Sequence, residues 1–297
     1  MFNLRAFAGI ARVPFLLLPV TLVASGAAAA AYEGSFSLSR TVVALVGLVA
    51  LHVAVNVLNE WSDMRTGIDL HTVRTPFSGG SGTLPSGAIS SQSALAFGLG
   101  WAAVGLATGV WLLTQVGWML IPIMVLGAVF VFGYTDMLAR VGWGEIAAGF
   151  GLGGLPVIGV ALVQAGTLGQ AAVAAALPAT LMTFNLLLLN EFPDEEPDRA
   201  GGRRNLVIVL GRRRAAAIYS AAALMTPTAV LASVVVDVLP LLSLAAILPS
   251  LMLMKPLGWA FSTPGEPVPV SALGSNVVWI LTTNSLLAIT LAVAALW

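Results

Sequence analysis

Long apolar stretches recur along the whole chain and constrain its fold more than any other feature. Nine of them are close to the ~20 residues that cross a bilayer as a helix. They cover residues 14–33, 40–61, 92–114, 117–135, 143–164, 170–191, 214–236, 238–254 and 275–296. Because 58% of the 297 residues are hydrophobic and no linker divides them, the sequence predicts an all-α polytopic membrane protein. We expect a nine-helix transmembrane bundle that forms a single domain over residues 1–297.

The first apolar stretch also has features of a secretory signal. Arg5 and Arg12 precede an apolar run over residues 14–24, and small residues follow at 27–31, which is the order found in cleaved leaders. We favour a first spanning helix, because apolar stretches continue throughout the chain. Loss of one helix would also disturb the charge pattern of the loops.

Basic residues fall almost entirely on one side of the predicted bundle. With nine spans the termini face opposite sides, and twelve Lys and Arg residues lie on the side of the N-terminus while only Arg40 lies on the other. The twelve are Arg5, Arg12, Arg65, Arg74, Arg140, Arg199, Arg203, Arg204, Arg212, Arg213, Arg214 and Lys255. Loops rich in Lys and Arg remain in the cytoplasm. The N-terminus is therefore predicted to be cytoplasmic and the C-terminus external.

Composition disfavours several classes of function. The formal net charge is zero, which gives no reason to expect a nucleic-acid partner. The absence of cysteine excludes disulfides and thiolate metal sites. With only two histidines, His52 and His71, a histidine-rich zinc site is not expected.

Two acidic clusters stand out in a chain with only 9% charged residues. The first occupies residues 56–69, at the predicted cytoplasmic end of the second helix. His52, Asn56, Asn59 and Asp63 are spaced by four, three and four residues, which places them on one helix face. Polar groups are costly in lipid and tend to be functional there, so this face should point into the bundle.

The second cluster occupies residues 190–198, after the sixth helix. Asn190, Asp194 and Asp198 are spaced by fours, although Pro193 and Pro197 predict that the helix end is bent or unwound. An alternative is that both clusters are solvated helix ends or arginine partners. That alternative accounts for Glu195 and Glu196 of the second cluster. It does not account for two stripes of Asn and Asp side chains at helical spacing.

Oxygen ligands of this kind suit Mg²⁺, which favours one or two carboxylates together with substrate phosphate oxygens. Asn59 and Asp63, with Asp194 and Asp198 opposite, are therefore predicted to hold two Mg²⁺ ions around a diphosphate and to be catalytic. Guanidinium groups bind phosphate oxygens. The candidate substrate-binding residues are therefore Arg65, Arg74 and Arg203, together with Asn56 and Asn190 of the two polar stripes. The alternative for the arginines is topological, since cytoplasmic loops collect arginine in any case.

Together the two clusters have a recognisable form. Residues 56–69 read Asn-x-x-Asn-Glu-x-x-Asp-x-x-x-Gly-x-Asp, and residues 190–204 read Asn-Glu-x-x-Asp-x-x-x-Asp-Arg-x-x-Gly-x-Arg. This pattern, after helices two and six of nine, resembles the UbiA-type intramembrane prenyltransferases. Within them it is most similar to the branch that prenylates 1,4-dihydroxy-2-naphthoate in menaquinone (quinone) biosynthesis.

The resemblance implies a fold and a set of ligands. It implies a central cavity that opens to the cytoplasmic side and laterally to lipid, in an integral protein of the bacterial inner (plasma) membrane. Asn59, Asp63 and Asp69 match the first metal-binding motif, and Asp194 and Asp198 match the second. The chain departs from many members in having Glu60 and Glu191 where they carry Asp.

The resemblance also implies a reaction, in which a polyprenyl diphosphate ionises with Mg²⁺ and the prenyl cation is attacked by a small aromatic acceptor. Apolar and aromatic walls would protect the cation from water, and Tyr134 is a candidate wall. Residues 75–82 are glycine-rich and form either a lid over the diphosphate or a flexible linker.

Two other functions stay open at this point. A UbiA-type terpene cyclase would ionise the same diphosphate without an acceptor. A membrane transporter would use the acidic stripes as a cation path, but it is expected to carry charges near the midplane, whereas nearly every carboxylate here is predicted at one face.

Overall fold

The computed structural model describes residues 3–297, and within that range nine helices are long and apolar enough to cross a membrane. They are α1 Val13–Tyr32, α2 Leu38–Thr66, α3 Ser91–Val116, α4 Trp118–Val141, α5 Gly144–Ala165, α6 Gln170–Glu191, α7 Arg212–Val235, α8 Leu241–Ser262 and α9 Val270–Ala294. Large apolar side chains such as Leu106, Phe132 and Leu251 are exposed on the outer faces. A lipid-facing surface requires such exposure, and the prediction of a polytopic integral membrane protein is confirmed.

The predicted helix bounds differ from the observed ones by five residues or more at one end of α2, α4, α8 and α9. Helix α2 continues to Thr66, so Ser62 and Asp63 belong to the helix and not to the loop. It ends at Gly67, whose φ of 82° lies in the left-handed region that glycine adopts without strain. Helix α8 begins only after Pro240, with a 3₁₀ segment over Leu241–Leu253 that continues as an α-helix over Met254–Ser262.

Consecutive helices lie side by side and close a ring from α1 to α9. Helix α1 contacts α2, α5, α6 and α9, and so joins the α2–α5 group to the α6–α9 group. Its Leu22 and Ala29 are fully buried in the largest apolar cluster. The first apolar stretch is therefore a packed helix of the bundle.

Helices α5 and α6 approach closely because α5 carries several glycines along the contact. A Cβ atom on Gly153 would lie 2.5 Å from the carbonyl oxygen of Ala179, and one on Gly149 would lie 2.9 Å from that of Thr180. Small residues allow such contacts between membrane helices. Gly153 lies in a π-helical turn, Phe150–Gly154, and Gly149 lies directly before it. Such a turn is a local bulge within an α-helix.

The two ends of the bundle differ in charge. At one end Glu33 accepts a hydrogen bond from the first turn of α6 (Ala171 N–H, 2.9 Å), and Arg40 donates to the last carbonyls of α5. The other end, called the acidic end below, carries residues 67–90 and 192–211 and both acidic motifs. The candidate site lies there.

Candidate active site

The acidic motifs bring several buried carboxylates together at the acidic end. Asp63 lies in the last turns of α2, and Asp69 lies in the short helix Ile68–His71 that follows Gly67. Asp194 precedes the short helix Glu195–Ala200, which contains Asp198. Asp63, Asp69 and Asp198 are each at most 5% exposed. Burying carboxylates is expensive unless they gain partners, so their partners determine what this site can do.

Arg203 joins the two motifs. Its guanidinium donates to Asp63 Oδ1 of the first motif and, at 3.2 Å, to Asp198 Oδ1 of the second. The chain reverses at Gly202, where φ is 83°, and the Arg203 N–H bonds the Asp198 carbonyl at 2.9 Å. This turn directs the arginine back between the motifs. The two helix ends therefore meet at one place.

Asn205 completes the arrangement around Asp198. Its side-chain Nδ2 donates to Asp198 Oδ2 at 3.0 Å, while its side-chain Oδ1 accepts from Ile208 N–H and caps the helix Leu206–Leu210. The sequence reasoning assigned Asn205 no role. An Asn directly before a short apolar run is a helix-capping signal, and that signal was present in the stretch from Gly202 to Leu206.

A divalent cation fits this donor set. Oδ2 of Asp69 and Oδ1 of Asp194 are buried and have no hydrogen-bond partner among the described residues. Such orphaned oxygens are costly, and a hard cation with oxygen preference would satisfy them. Asn59 could offer its amide oxygen, because its amide nitrogen is already used by Thr135 Oγ1 at 3.3 Å.

The electrostatics of the carboxylates outside the spanning helices agree with this fit. Burial raises the pKa of Asp69 to about 7, and the nearby carboxylates of Asp63 and Glu60 add to the rise. Burial likewise raises the pKa of Asp194 to about 7 and that of Asp198 to about 6. Burial lowers the pKa of Arg203, but Asp63 and Asp198 outweigh it and raise the value above normal. Negative charge is thus under-compensated where a cation would bind.

Within residues 3–297, no three acidic or histidine side chains lie close enough together to coordinate one metal ion. Arg203 lies between Asp63 and Asp198, and Asp194 Oδ2 accepts from the N–H of Gly79 at 3.1 Å. The five predicted ligands lie at one end of the bundle, and their joint coordination remains a prediction.

Residues 75–82 lie over the acidic motifs. The N–H of Gly79 reaches Asp194, and a Cβ atom on Gly80 would lie 2.8 Å from Asp69 Oδ1. Ser81 donates from its N–H to Glu60 Oε1 at 2.7 Å and from its hydroxyl to Glu60 Oε2 at 2.5 Å. These contacts favour a lid over a flexible linker.

The other predicted substrate contacts differ in position. Asn56 donates to the Ala11 carbonyl at 3.0 Å and holds the N-terminal segment, and Arg74 donates to the Asp69 carbonyl at 2.7 Å. Asn190 is half-buried in the last turn of α6. Arg65 is exposed, with its guanidinium 4.5 Å from the Trp61 ring centroid. Asn56 and Arg65 therefore contact groups other than the carboxylates.

Helix α4 forms one wall of the site. Its π-helical turn, Tyr134–Leu138, widens the helix so that Tyr134 is buried and Asp136 accepts from Ser62 Oγ at 2.6 Å. On the adjacent α5, Glu145 is 1% exposed and accepts from the N–H of Leu206. The predicted fourth span, 117–135, ended just before Asp136, which lies inside the helix because α4 extends to Val141. Glu145 lies in the first turn of α5, within the predicted fifth span 143–164.

An apolar cavity of about 430 Å³ runs between α2, α3, α4 and α5. Glycines line much of it, and its lining includes the exposed Leu99, Leu106 and Phe132, so it opens toward the surrounding lipid. His52 also lines it; its Nδ1 pairs with the Leu48 carbonyl of its own helix at 3.0 Å. The cavity can hold a long hydrocarbon.

Known proteins resemble this chain in sequence and in fold. The chain is 23% identical over 159 residues to the 1,4-dihydroxy-2-naphthoate octaprenyltransferase of Bacillus subtilis (strain 168), a match covering 52% of this chain and 50% of that protein. The matched region thus spans about half the length of this relative.

Solved structures share the fold. A UbiA homolog from Aeropyrum pernix K1 superposes with a TM-score of 0.69 at 17% identity, covering 93% of this chain and 98% of that one. A UbiA homolog from Archaeoglobus fulgidus bound to GPP and Mg²⁺ gives 0.66 at 15% identity, covering 95% and 99%. Residues 17–268 match the model of the UbiA prenyltransferase family. Because this match covers most of the chain, the protein belongs to the UbiA prenyltransferase family.

Proposed function

We propose that this protein transfers a prenyl group from a polyprenyl diphosphate to a small aromatic acceptor, a quinone precursor, with the help of Mg²⁺. The observation that carries the proposal is the double hydrogen bond of Arg203 to Asp63 and Asp198, because it joins the two acidic motifs at one site. The GPP and Mg²⁺ bound by the Archaeoglobus homolog and the name of the Bacillus relative support the substrate classes.

The ligands of the cation would be Asn59, Asp63, Asp69, Asp194 and Asp198, which suffice for two ions. When bound, Mg²⁺ supplies positive charge that stabilises the diphosphate as a leaving group. Four of these ligands would be carboxylates, and burial raises the pKa of two of them, Asp69 and Asp194, which is consistent with a site for positive charge. This donor set favours an oxygen-preferring cation over a softer one.

The residues of the chain then have separate tasks. Arg203, between the two acidic motifs, would face the leaving diphosphate and neutralise the charge that develops on it as the allylic C–O bond breaks. The apolar cavity between α2 and α5 would hold the prenyl tail, with the lid 75–82 over the diphosphate. Exclusion of water favours attack by an electron-rich ring carbon, which forms the new C–C bond and then loses its proton.

The proposed orientation places the acidic end in the cytoplasm of a bacterial cell. Twelve basic residues belong to that side and Arg40 to the other, which satisfies the positive-inside rule. A water-soluble acceptor would then enter from the cytoplasm, and the prenyl chain would enter from the membrane.

The decisive experiment uses membranes containing the protein and a matrix of substrates. Dihydroxynaphthoate, 4-hydroxybenzoate, homogentisate and glyceryl phosphate are each paired with prenyl diphosphates of several lengths and Mg²⁺. We expect a prenylated aromatic product. A reaction without acceptor serves as the comparison, since hydrocarbon release in that arm would favour a terpene cyclase and overturn the proposed transfer.

A further inference from the structure

Glu60 is a buried carboxylate of the first motif whose contacts differ from those of its neighbours. It is 1% exposed, and both of its oxygens are used by a single residue of the lid. Oε1 accepts from the N–H of Ser81 at 2.7 Å, and Oε2 accepts from the Ser81 hydroxyl at 2.5 Å. One helix position turns the side chain by about 100° from that of Asn59, whereas Asp63, three residues on, is a neighbour on the helix surface. Glu60 therefore differs from these residues in its partner, because both of its oxygens accept from Ser81.

The lid has further attachments on other sides of the site. The N–H of Gly79 donates to Asp194 Oδ2 at 3.1 Å, and the guanidinium of Arg12 donates to the Phe77 carbonyl at 3.2 Å. Inside the lid, Thr75 Oγ1 accepts from the N–H groups of Phe77 and Ser78 and forms a local turn. The Glu60–Ser81 pair is thus the attachment to α2, opposite the attachment to the second motif.

We infer that Glu60 is a positioning residue that holds the lid 75–82 over the diphosphate site through Ser81, and that it is not a cation ligand. Only the kinetic consequence of this inference rests on the proposed function. It also gives a physical reason for glutamate at this position: the two-point contact uses the full length of the side chain, and aspartate would fall short of Ser81 by one methylene.

Four variants distinguish an anchor from a cation ligand. Glu60→Gln keeps the length and can still accept the N–H of Ser81, whereas Glu60→Asp keeps the charge and loses the reach. Ser81→Ala removes the hydroxyl contact. Ser86→Ala is the matched control, because Ser86 is exposed and its hydroxyl bonds the Thr83 carbonyl within the same loop.

The kinetic readout compares the KM for the prenyl diphosphate with the Mg²⁺ concentration that gives half-maximal activity. An anchor predicts that Glu60→Asp and Ser81→Ala raise the KM by roughly tenfold, the loss expected for one charged hydrogen bond. Glu60→Gln and Ser86→Ala should stay close to wild type, and no variant should change the Mg²⁺ requirement. A raised Mg²⁺ requirement in Glu60→Gln, with Ser81→Ala unchanged, would overturn the inference.

A second readout needs no turnover. Trypsin can cleave after Arg74, which is exposed at the start of the lid, and the cleavage rate reports how firmly the lid is held. We expect faster cleavage in Glu60→Asp and Ser81→Ala than in Ser86→Ala and wild type. Equal rates in all four proteins would refute the anchor, while failure of the transfer assay alone would count against the proposed function instead.

Discussion

Arg203 is the residue on which the candidate site depends most, because two buried carboxylates share its guanidinium. Removing one partner of a buried ion pair leaves uncompensated charge, which costs more than the pair itself contributes. Arg199 lies four residues earlier in the sequence and pairs with Glu195, with more than half of its side chain exposed. Such surface pairs contribute little. The two arginines therefore form a matched pair for comparison.

We predict that Arg203→Ala lowers the stability of the cation-free protein by about 3 kcal/mol and lowers its thermal midpoint in detergent by several degrees. The loss should be larger at pH 8 than at pH 5, because Asp198 can take up a proton at the lower pH once its partner is absent. Thermal denaturation at both pH values measures this. A midpoint as insensitive to Arg203→Ala as to Arg199→Ala would contradict the role of the bridge.

The raised pKa values of Asp69, Asp194 and Asp198 predict how Mg²⁺ binding depends on pH. These groups titrate at about 7, 7 and 6 in the cation-free protein, and Mg²⁺ must displace their protons. The concentration of Mg²⁺ needed for half-maximal activity should fall as the pH rises from 6 to 8 and then level off. The stability of the cation-free protein should change in the other direction. Because these carboxyl pKa values are raised in the folded state, the free energy of unfolding falls as the pH rises from about 4 to about 7.

The pH test is made by titrating Mg²⁺ at each pH in membranes, with the prenyl diphosphate saturating. The second ionisation of a free phosphate group lies near pH 6, so the titration of the diphosphate itself needs a control. The isolated substrate serves for that purpose. A Mg²⁺ requirement that is flat between pH 6 and 8 would contradict protonated carboxylates at the site.

At the scale of single elements, the contact between α5 and α6 depends on glycine. A methyl group at Gly153 would meet the Ala179 carbonyl, whereas one at Gly100 in α3 would meet no neighbouring atom of residues 3–297 within 4 Å. We predict that Gly153→Ala separates the two helices and lowers the thermal midpoint, while Gly100→Ala leaves it unchanged or raises it slightly through helix propensity. Thermal denaturation of both variants tests this, and equal midpoints would exclude close contact at Gly153.

Elements were predicted from sequence with uneven success. The nine spans were predicted from apolar length and are confirmed within residues 3–297, as is the break after α6 that Pro193 and Pro197 indicate. The extension of α2 to Thr66 was missed by apolar length, because the apolar run ends before Ser62, although the helical spacing already placed Asp63 on the same face as Asn59. The contact of Glu60 with Ser81 was missed for a related reason: it joins a helix to an irregular loop, and no periodicity records such a contact.

At the scale of the whole molecule, the assignment of the cytoplasmic side is a prediction. The chain has no cysteine, so a single introduced thiol reports its own side of the membrane. We expect Thr167→Cys, at the end opposite the acidic motifs, to react with an impermeant maleimide in intact spheroplasts. Ser86→Cys should react only after the membrane is opened, and the reverse pattern would invert the proposed topology.

The family and the general position of the site could be inferred from sequence, because two spaced acidic motifs keep their register with the helices. That the two motifs meet at one site was also predicted, but the contact that joins them was not, since it depends on the turn at Gly202 that returns Arg203 toward α2. Arg65 illustrates the same limit. It follows the first motif in sequence as Arg203 follows the second, yet it stacks on Trp61.

The central claim is that acidic residues from two separate helix ends hold one diphosphate, and prenyl transfer by three alanine variants tests it most directly. Asp63→Ala and Asp194→Ala should each reduce turnover by at least about 100-fold, although both proteins insert and purify normally. Glu196→Ala, an exposed acid of the second cluster, should retain activity. Full activity in either aspartate variant would contradict the account.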